Sequence, residues 1–253
     1  SSTKKSMMHT TKYMHQILDL SLDAYDEILS EIDTTNLVER KGIIYIWTNK
    51  NLKSRKMEIK IRNDLGIKQR LLNREEVLEL EPNLSPVFDA GVIYDYAYHA
   101  RDPKEITKKL FDLFLKSGGK FKKEEVISVE QTRYNQTQIK TNSEQFNFEK
   151  IVLACGAFSK KLTDQLGEKI PLDTERGYHV HYKKMDHLLK RPVIFLDRGF
   201  GMTPMNQGLR AVGTVELGGF DNPISKKRID YIDNCAKELL PQLGDFQDEW
   251  LGF

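Results

Sequence analysis

Between residues 7 and 32 apolar side chains recur every three or four positions. Met14, Ile17, Leu18, Leu22, Tyr25, Ile28, Leu29 and Ile32 fall on one side, with Lys12, Asp19, Asp23 and Asp26 opposite. That period predicts one long amphipathic helix whose stripe closes over a core. His9 and His15 ride at its surface or boundary and are not read as a metal site. The apolar run 41–47 predicts a strand, and the charged stretch 51–66 a helix ending near Gly66. Asn73 stands three residues before Glu76, a start signal for a helix over 74–80 that Pro82 stops. Residues 91–99 predict a strand dense in aromatics. Asp102 and Pro103 then open a helix that runs to about Lys116 and closes at Gly118 and Gly119.

Further on, 125–130, 136–141 and 146–148 predict short antiparallel strands leading into Ile151-Val-Leu-Ala-Cys155. That last segment, apolar and ending in small residues, predicts a buried strand. Gly156 breaks it, and Ser159 is placed to cap a short helix through about Leu166. Such a strand, turn and helix start lets backbone approach a bulky ligand, and free N–H groups there suit an anion. The same turn also occurs in α/β units that bind nothing. Strands follow over 177–182, 191–196, 199–203 and 209–215, with Gly and Pro between them. A final helix, 225–240, buries Ile229, Ile232, Ala236, Leu239 and Leu240 before Pro241. The order of elements predicts an α+β (mixed α/β) body, a mixed and largely antiparallel sheet carrying helices.

Composition narrows the classes. Formal net charge is +2, so no global field favours nucleic acid or an anionic membrane. No run approaches the roughly 18 apolar residues that a spanning helix needs. Cys155 and Cys235 lie far apart without metal-ligand spacing, which fits a reducing compartment and a cytoplasmic setting.

Candidate chemistry is sparse. There is no Gly-x-Gly-x-x-Gly, no phosphate loop, no His-Glu-x-x-His and no Gly-x-Ser-x-Gly. Cys155 ends an apolar run without a nearby base, so it reads as a buried small hydrophobe rather than a nucleophile. Alternation puts Tyr178 and Tyr182 on one face of their strand and His179 and His181 on the other. Two His at that spacing lack a third ligand nearby. Tyr94, Tyr96 and Tyr98 are expected to share a face, which suits a pocket wall and equally a half-buried strand.

Five landmarks in order carry a family resemblance: Leu80-Glu-Pro-Asn-Leu84; Arg101-Asp-Pro103 opening a helix that ends at Gly118-Gly119; Val126; Val152-Leu-Ala-Cys-Gly-Ala-Phe-Ser159; and Pro171, Arg176-Gly-Tyr178, Thr203-Pro204 and Gly208-Leu-Arg-Ala-Val-Gly-Thr-Val-Glu216. Together they resemble the middle of the FAD-dependent D-amino-acid oxidase superfamily, especially its D-amino-acid dehydrogenase and glycine oxidase branch. Phe158 stands where that family usually has tryptophan. The family's glycine-rich dinucleotide fingerprint does not occur, and Trp250-Leu-Gly252 resembles the segment just ahead of its carboxylate-clamping arginine. The expectation is therefore a central fragment, inactive alone.

The resemblance implies a flavoprotein that oxidises the α-carbon of an amino acid or secondary amine by hydride transfer to FAD, giving an imine and then a keto acid. It implies residues 1–98 and 171–253 as two parts of a substrate-binding domain, with 99–170 a remnant of the FAD-binding domain. Val126, Ala154, Cys155, Gly156 and Ala157 are then expected to contact FAD. Tyr96, Tyr98, His99, Tyr178, His179 and Met202 are expected along the substrate wall, and no residue of the chain is expected to be catalytic in its own right. The partner expected is a small amino acid or amine, and a peripheral membrane or quinone link follows by analogy only. Two alternatives stay open: a non-catalytic binding subunit, or a relative acting on sarcosine, glycine or glycerol phosphate.

Overall fold

The computed structural model describes residues 4–49, 52–132 and 136–252; the expectations for residues 1–3, 50–51, 133–135 and 253, among them the first residue of the expected helix 51–66, lie outside the described residues. The chain opens on two helices where its periodicity predicts one, α1 (Lys4–Leu18) and α2 (Ser21–Ser30). The break has a local cause. The Ser21 hydroxyl donates back to the Leu18 carbonyl at 2.6 Å, competing with the helical ladder at the point where it stops. The stripe does not close over a core either. Of the eight apolar positions only Leu29 is buried, and Ile17 is 67% exposed.

Next come β1 (Val38–Glu39), β2 (Ile43–Trp47), α3 (Leu52–Asp64), β3 (Arg70–Asn73) and α4 (Arg74–Leu80). The start of α4 is the predicted capping box: Asn73 Oδ1 accepts from the Glu76 N–H at 2.9 Å, and Glu76 Oε2 accepts from the Asn73 N–H at 2.7 Å. Then β4 (Ala90–Tyr94) ends earlier than expected, and the chain turns before β5 (His99–Ala100). Tyr96 therefore sits on the turn and Tyr98 in the irregular stretch after it, and neither extends the face that carries Tyr94. Next, α5 (Pro103–Lys116) has Asp102 as its N-cap and Gly118 at φ 91 beyond its end.

Strands β6 (Val126–Gln131), β7 (Thr137–Thr141) and β8 (Gln145–Phe148) form a small antiparallel sheet. The predicted strand 151–155 is not one. The segment pairs with nothing as a strand, Val152 is 90% exposed, and Cys155 is exposed too. An apolar run becomes a buried strand only when a neighbouring strand and a covering layer are present, and among the described residues no strand pairs with it. Gly156 does break the run. A 3₁₀ turn over Gly156–Phe158, α6 (Ser159–Thr163) and another 3₁₀ turn carry the chain to Leu166, the predicted stop.

The remaining elements are β9 (Arg176–Lys183), β10 (Val193–Phe195), β11 (Phe200–Met205), β12 (Gly208–Glu216), α7 (Lys226–Leu239) and β13 (Asp248–Gly252). They complete an eight-stranded sheet in the order β13-β9-β12-β11-β10-β2-β4-β3, antiparallel except where β10 meets β2. One face holds the core: α7 lies across β9, β11 and β12 and α4 across β3 and β4. Tyr178, Val180, Tyr182, Met202, Leu209 and Ala211 meet Ile229, Ile232, Ala236 and Leu239 there, all buried. The sheet's other face is only half covered. Over β2 and β4, α3 brings Arg55, Glu58, Ile59 and Arg62 against Tyr45, Trp47, Val92 and Tyr94. Over the part of β9, β12 and β13 that carries Val212, Val215 and Trp250 no described element lies, and these three side chains stay exposed.

Candidate functional site

The uncovered half of the sheet follows from strand alternation. Register pairs Val212 with His179 and His179 with Trp250, so these three share the face opposite the core, as do Arg210 and His181 one pair further on. Trp250, 59% exposed, stacks on the His179 ring with centroids 5.0 Å apart. A bulge in β12 between Gly213 and Val215 adds one residue, and its effect is to return Val215 to the same open face beside Gly177. The bulged residue, Thr214, takes φ 59, and its hydroxyl oxygen is buried without a hydrogen-bond partner. A β-branched side chain in the left-handed region is strained, and such strain concentrates where a protein shapes a site.

At one end of this face a cleft opens between the first turn of α5 and strands β9 and β12, lined by Arg101, Asp102, Lys104, His181, Met205 and Arg210. Arg101 builds the cleft. Its guanidinium donates to Glu39 at 3.1 Å, Asp186 at 3.0 Å and Asn206 at 2.9 Å, and its carbonyl accepts from the Asn206 N–H. The start of α5 is thus stitched to the β11–β12 hairpin. Burial holds Arg210 below the usual guanidinium range. Burial first, then the charges of Arg210 and His181, push the His179 imidazole down to about 4, so it is neutral at physiological pH.

At the other end lies the turn after residue 155. Phe158 stacks on Phe220 at 4.4 Å, bringing the turn against the loop that follows β12. Gly156 has φ 56 and no atom within 4 Å of where a Cβ would stand. Ala154, Cys155 and Gly156 are exposed, and Ala157 is half-buried. Gln165 reaches across to β6, accepting from the Val129 N–H at 2.9 Å and donating to the Ile127 carbonyl at 3.2 Å. Strand β6, which carries Val126, and the helical run after Gly156 are therefore joined. An exposed backbone segment ending in an open, left-handed glycine fits the edge of a large planar cofactor such as FAD. In register, the open face separates this turn from the cleft: Gly177 to His181 spans about 13 Å of strand.

The expected wall residues scatter. Only His179 faces the open surface. Tyr178 and Met202 point into the core beneath α7, with the Tyr178 hydroxyl donating to Glu216, so alternation sets both on the wrong side for a wall there. His99 is buried between Glu39 and the Pro204 backbone. Tyr98 lies under the Arg40 guanidinium, 4.4 Å from ring centroid to carbon, and Tyr96 meets Tyr94 edge-on at the far side of the sheet. Four strands separate β4 from β9, about 24 Å at sheet spacing. The sequence reading names His181 only as a partner of His179 on its strand face, and it does not bring Arg210, Val212 or Trp250 to that face. The available signal was parity: Arg210 is a lone charge between Leu209 and Ala211, and only register shows that it shares a face with both histidines.

Comparison with known proteins bears on this arrangement. The model of the family described as FAD dependent oxidoreductase matches residues 2–253. A D-amino-acid oxidase from Bradyrhizobium diazoefficiens is 28% identical over 89% of this chain and 54% of its own length. A D-amino acid dehydrogenase from Vibrio atlanticus is 25% identical over 94% of this chain and 59% of its own length. The chain thus spans little more than half of either relative. Among solved structures, glycine oxidase from Geobacillus kaustophilus superposes with a TM-score of 0.80 over 100% of this chain and 68% of that one, at 19% identity, which shows the shared fold.

Proposed function

This chain belongs to the FAD dependent oxidoreductase family, and from that premise we propose that it serves the flavin-dependent oxidation of an amino acid or secondary amine at its α-carbon. The family match along nearly the whole chain is the observation that carries the reading, and the two relatives named for D-amino acids support the substrate class. FAD, when bound, supplies the hydride acceptor, which is why the protein needs no nucleophile of its own. The chain's residues hold and orient. Backbone of Ala154, Cys155, Gly156 and Ala157, with Val126 on the adjoining strand, contacts the cofactor. Trp250, His179, Val212 and Val215 form an apolar wall that keeps water from the α-carbon, and neutral His179 offers no charge to repel an ammonium group. Once the ammonium has released a proton to solvent, loss of hydride leaves an iminium ion, and water then converts it to a keto acid with release of ammonium or a protonated amine.

Titration of the purified chain with FAD tests this reading through quenching of flavin fluorescence and retention of yellow colour after desalting. Saturable quenching is expected, weakened about tenfold or more in Gly156→Val, because a β-branched residue is strained at that φ and would crowd the open turn. Absence of saturable binding, in a chain that circular dichroism shows to be folded, would sink the assignment of the turn and β6 as a cofactor edge.

A further inference from the structure

We propose that the α1–α2 hairpin is a docking surface for a second copy of this chain. The two hairpins pack about a two-fold axis into a four-helix bundle, with α1 of each copy along α2 of the other. The surface itself is apolar. Tyr13, Met14, Ile17 and Leu18 stand three or four residues apart on one wall of α1, and all four are exposed. Tyr25 and Ile28, also exposed, continue the apolar surface on α2. The body holds the hairpin by another side: Leu29 is buried there, and the Arg40 guanidinium donates to Asp26. Exposed apolar surface of this extent, on helices already held in place, marks an interaction site.

Charge selects the occupant. From Lys4 to Leu18 the chain carries three lysines, Lys4, Lys5 and Lys12, and no acid. From Asp19 to Glu31 it carries five acids and no Lys or Arg. Among the described residues, only Asp26 of those acids is engaged in an ion pair, the one with Arg40. A basic helix followed by an acidic one is mismatched to any surface of a single sign, so an anionic lipid surface would be repelled along the α2 half. A second copy related by a two-fold axis sets the basic helix against the acidic one, and the symmetry makes the match twice. Apolar side chains then supply the attraction, while charge fixes which helix lies against which. Neither flavin nor turnover is involved.

Sedimentation velocity of the full chain over a range of concentrations, at low ionic strength, tests the pairing. A reversible monomer–dimer equilibrium is expected, weakened about tenfold or more in Ile17→Lys. Lys5→Glu with Lys12→Glu reverses the sign of α1, and Asp23→Lys with Glu27→Lys reverses that of α2. Each charge variant alone then meets like charges at both contacts and should dimerise about tenfold more weakly. Mixed together, the two variants place opposite charges at both contacts, and a heterodimer should recover to within several-fold of the parent. Circular dichroism confirms that the variants compared are folded; if a charge variant is not, the Ile17→Lys comparison decides. A chain that stays monomeric at every concentration overturns the proposal. A dimer that none of these variants weakens also overturns it, moving association to another face such as β9–β12–β13. Weak dimerisation of each charge variant without recovery on mixing overturns the two-fold match of α1 with α2. A chain monomeric in solution that sediments with vesicles of anionic phospholipid overturns the second copy in favour of a lipid surface.

Discussion

Thr214 and His179 show how much one residue on the open face determines. At φ 59 the threonine sits where an L side chain is disfavoured by about 1–2 kcal/mol, and its hydroxyl is unmet. Thr214→Gly removes both costs and gives part of the gain back as chain entropy, so urea unfolding should show a net stabilisation of about 0.5–1 kcal/mol. Thr214→Val keeps the strain and should not reproduce it. His179 predicts a pH dependence. Its proton is held less well in the native chain, at about 4, than in the unfolded one, at about 6.5. Between those values the unfolded state binds a proton that the folded state refuses. The associated stability is complete above about pH 6.5 and is lost as pH falls towards about 4. Arg210 and His181 face the ring as like charges, and Trp250 covers it. Urea midpoints measured between pH 7 and about pH 5 should therefore fall less steeply in His179→Gln than in the parent; equal slopes would rule His179 out as the source.

Among the elements, those with complete local signals form as the sequence predicts. The capping box at α4 joins Asn73 and Glu76 through two reciprocal hydrogen bonds within four residues, so nothing distant is needed. Asn73→Ala should cost about 1 kcal/mol in a thermal or urea melt, while Asn73→Ser should recover most of it. The N-cap Asp102 with Pro103 is equally legible. Elements that depend on a partner were misread. Ile151 to Cys155 has strand composition, yet hydrophobic pattern cannot report whether a neighbouring strand exists. The stripe of α1 and α2 has a helical period, yet period does not say what covers it. Within the aromatic run, β4 stops at Tyr94 because its ladder partners β2 and β3 end there, so Tyr96 and Tyr98 leave the sheet.

For the whole molecule, the eight-stranded sheet is covered by α7 and α4 on one face and by α3 on half of the other, which leaves two apolar surfaces: the β9–β12–β13 face and the α1–α2 stripe. Contiguous apolar surface of this kind favours association. Ile17→Lys, at a position already 67% exposed, should leave the melting temperature unchanged and reduce concentration-dependent light scattering; unchanged scattering would absolve the stripe. Among the described residues no helix is long and apolar enough to cross a membrane. The sequence by itself determined the helix starts at α4 and α5, the strand alternation that parts Tyr178 from His179, the break at Gly156 and the family, because each is written in residues close together or in an order of motifs. Tertiary structure alone decided which face of the sheet is core, that Arg210 and His181 meet in one cleft, and that the 151–155 segment lies open. Those outcomes depend on strand order and register between segments up to about 150 residues apart, where the energy lies in contacts that no local pattern encodes.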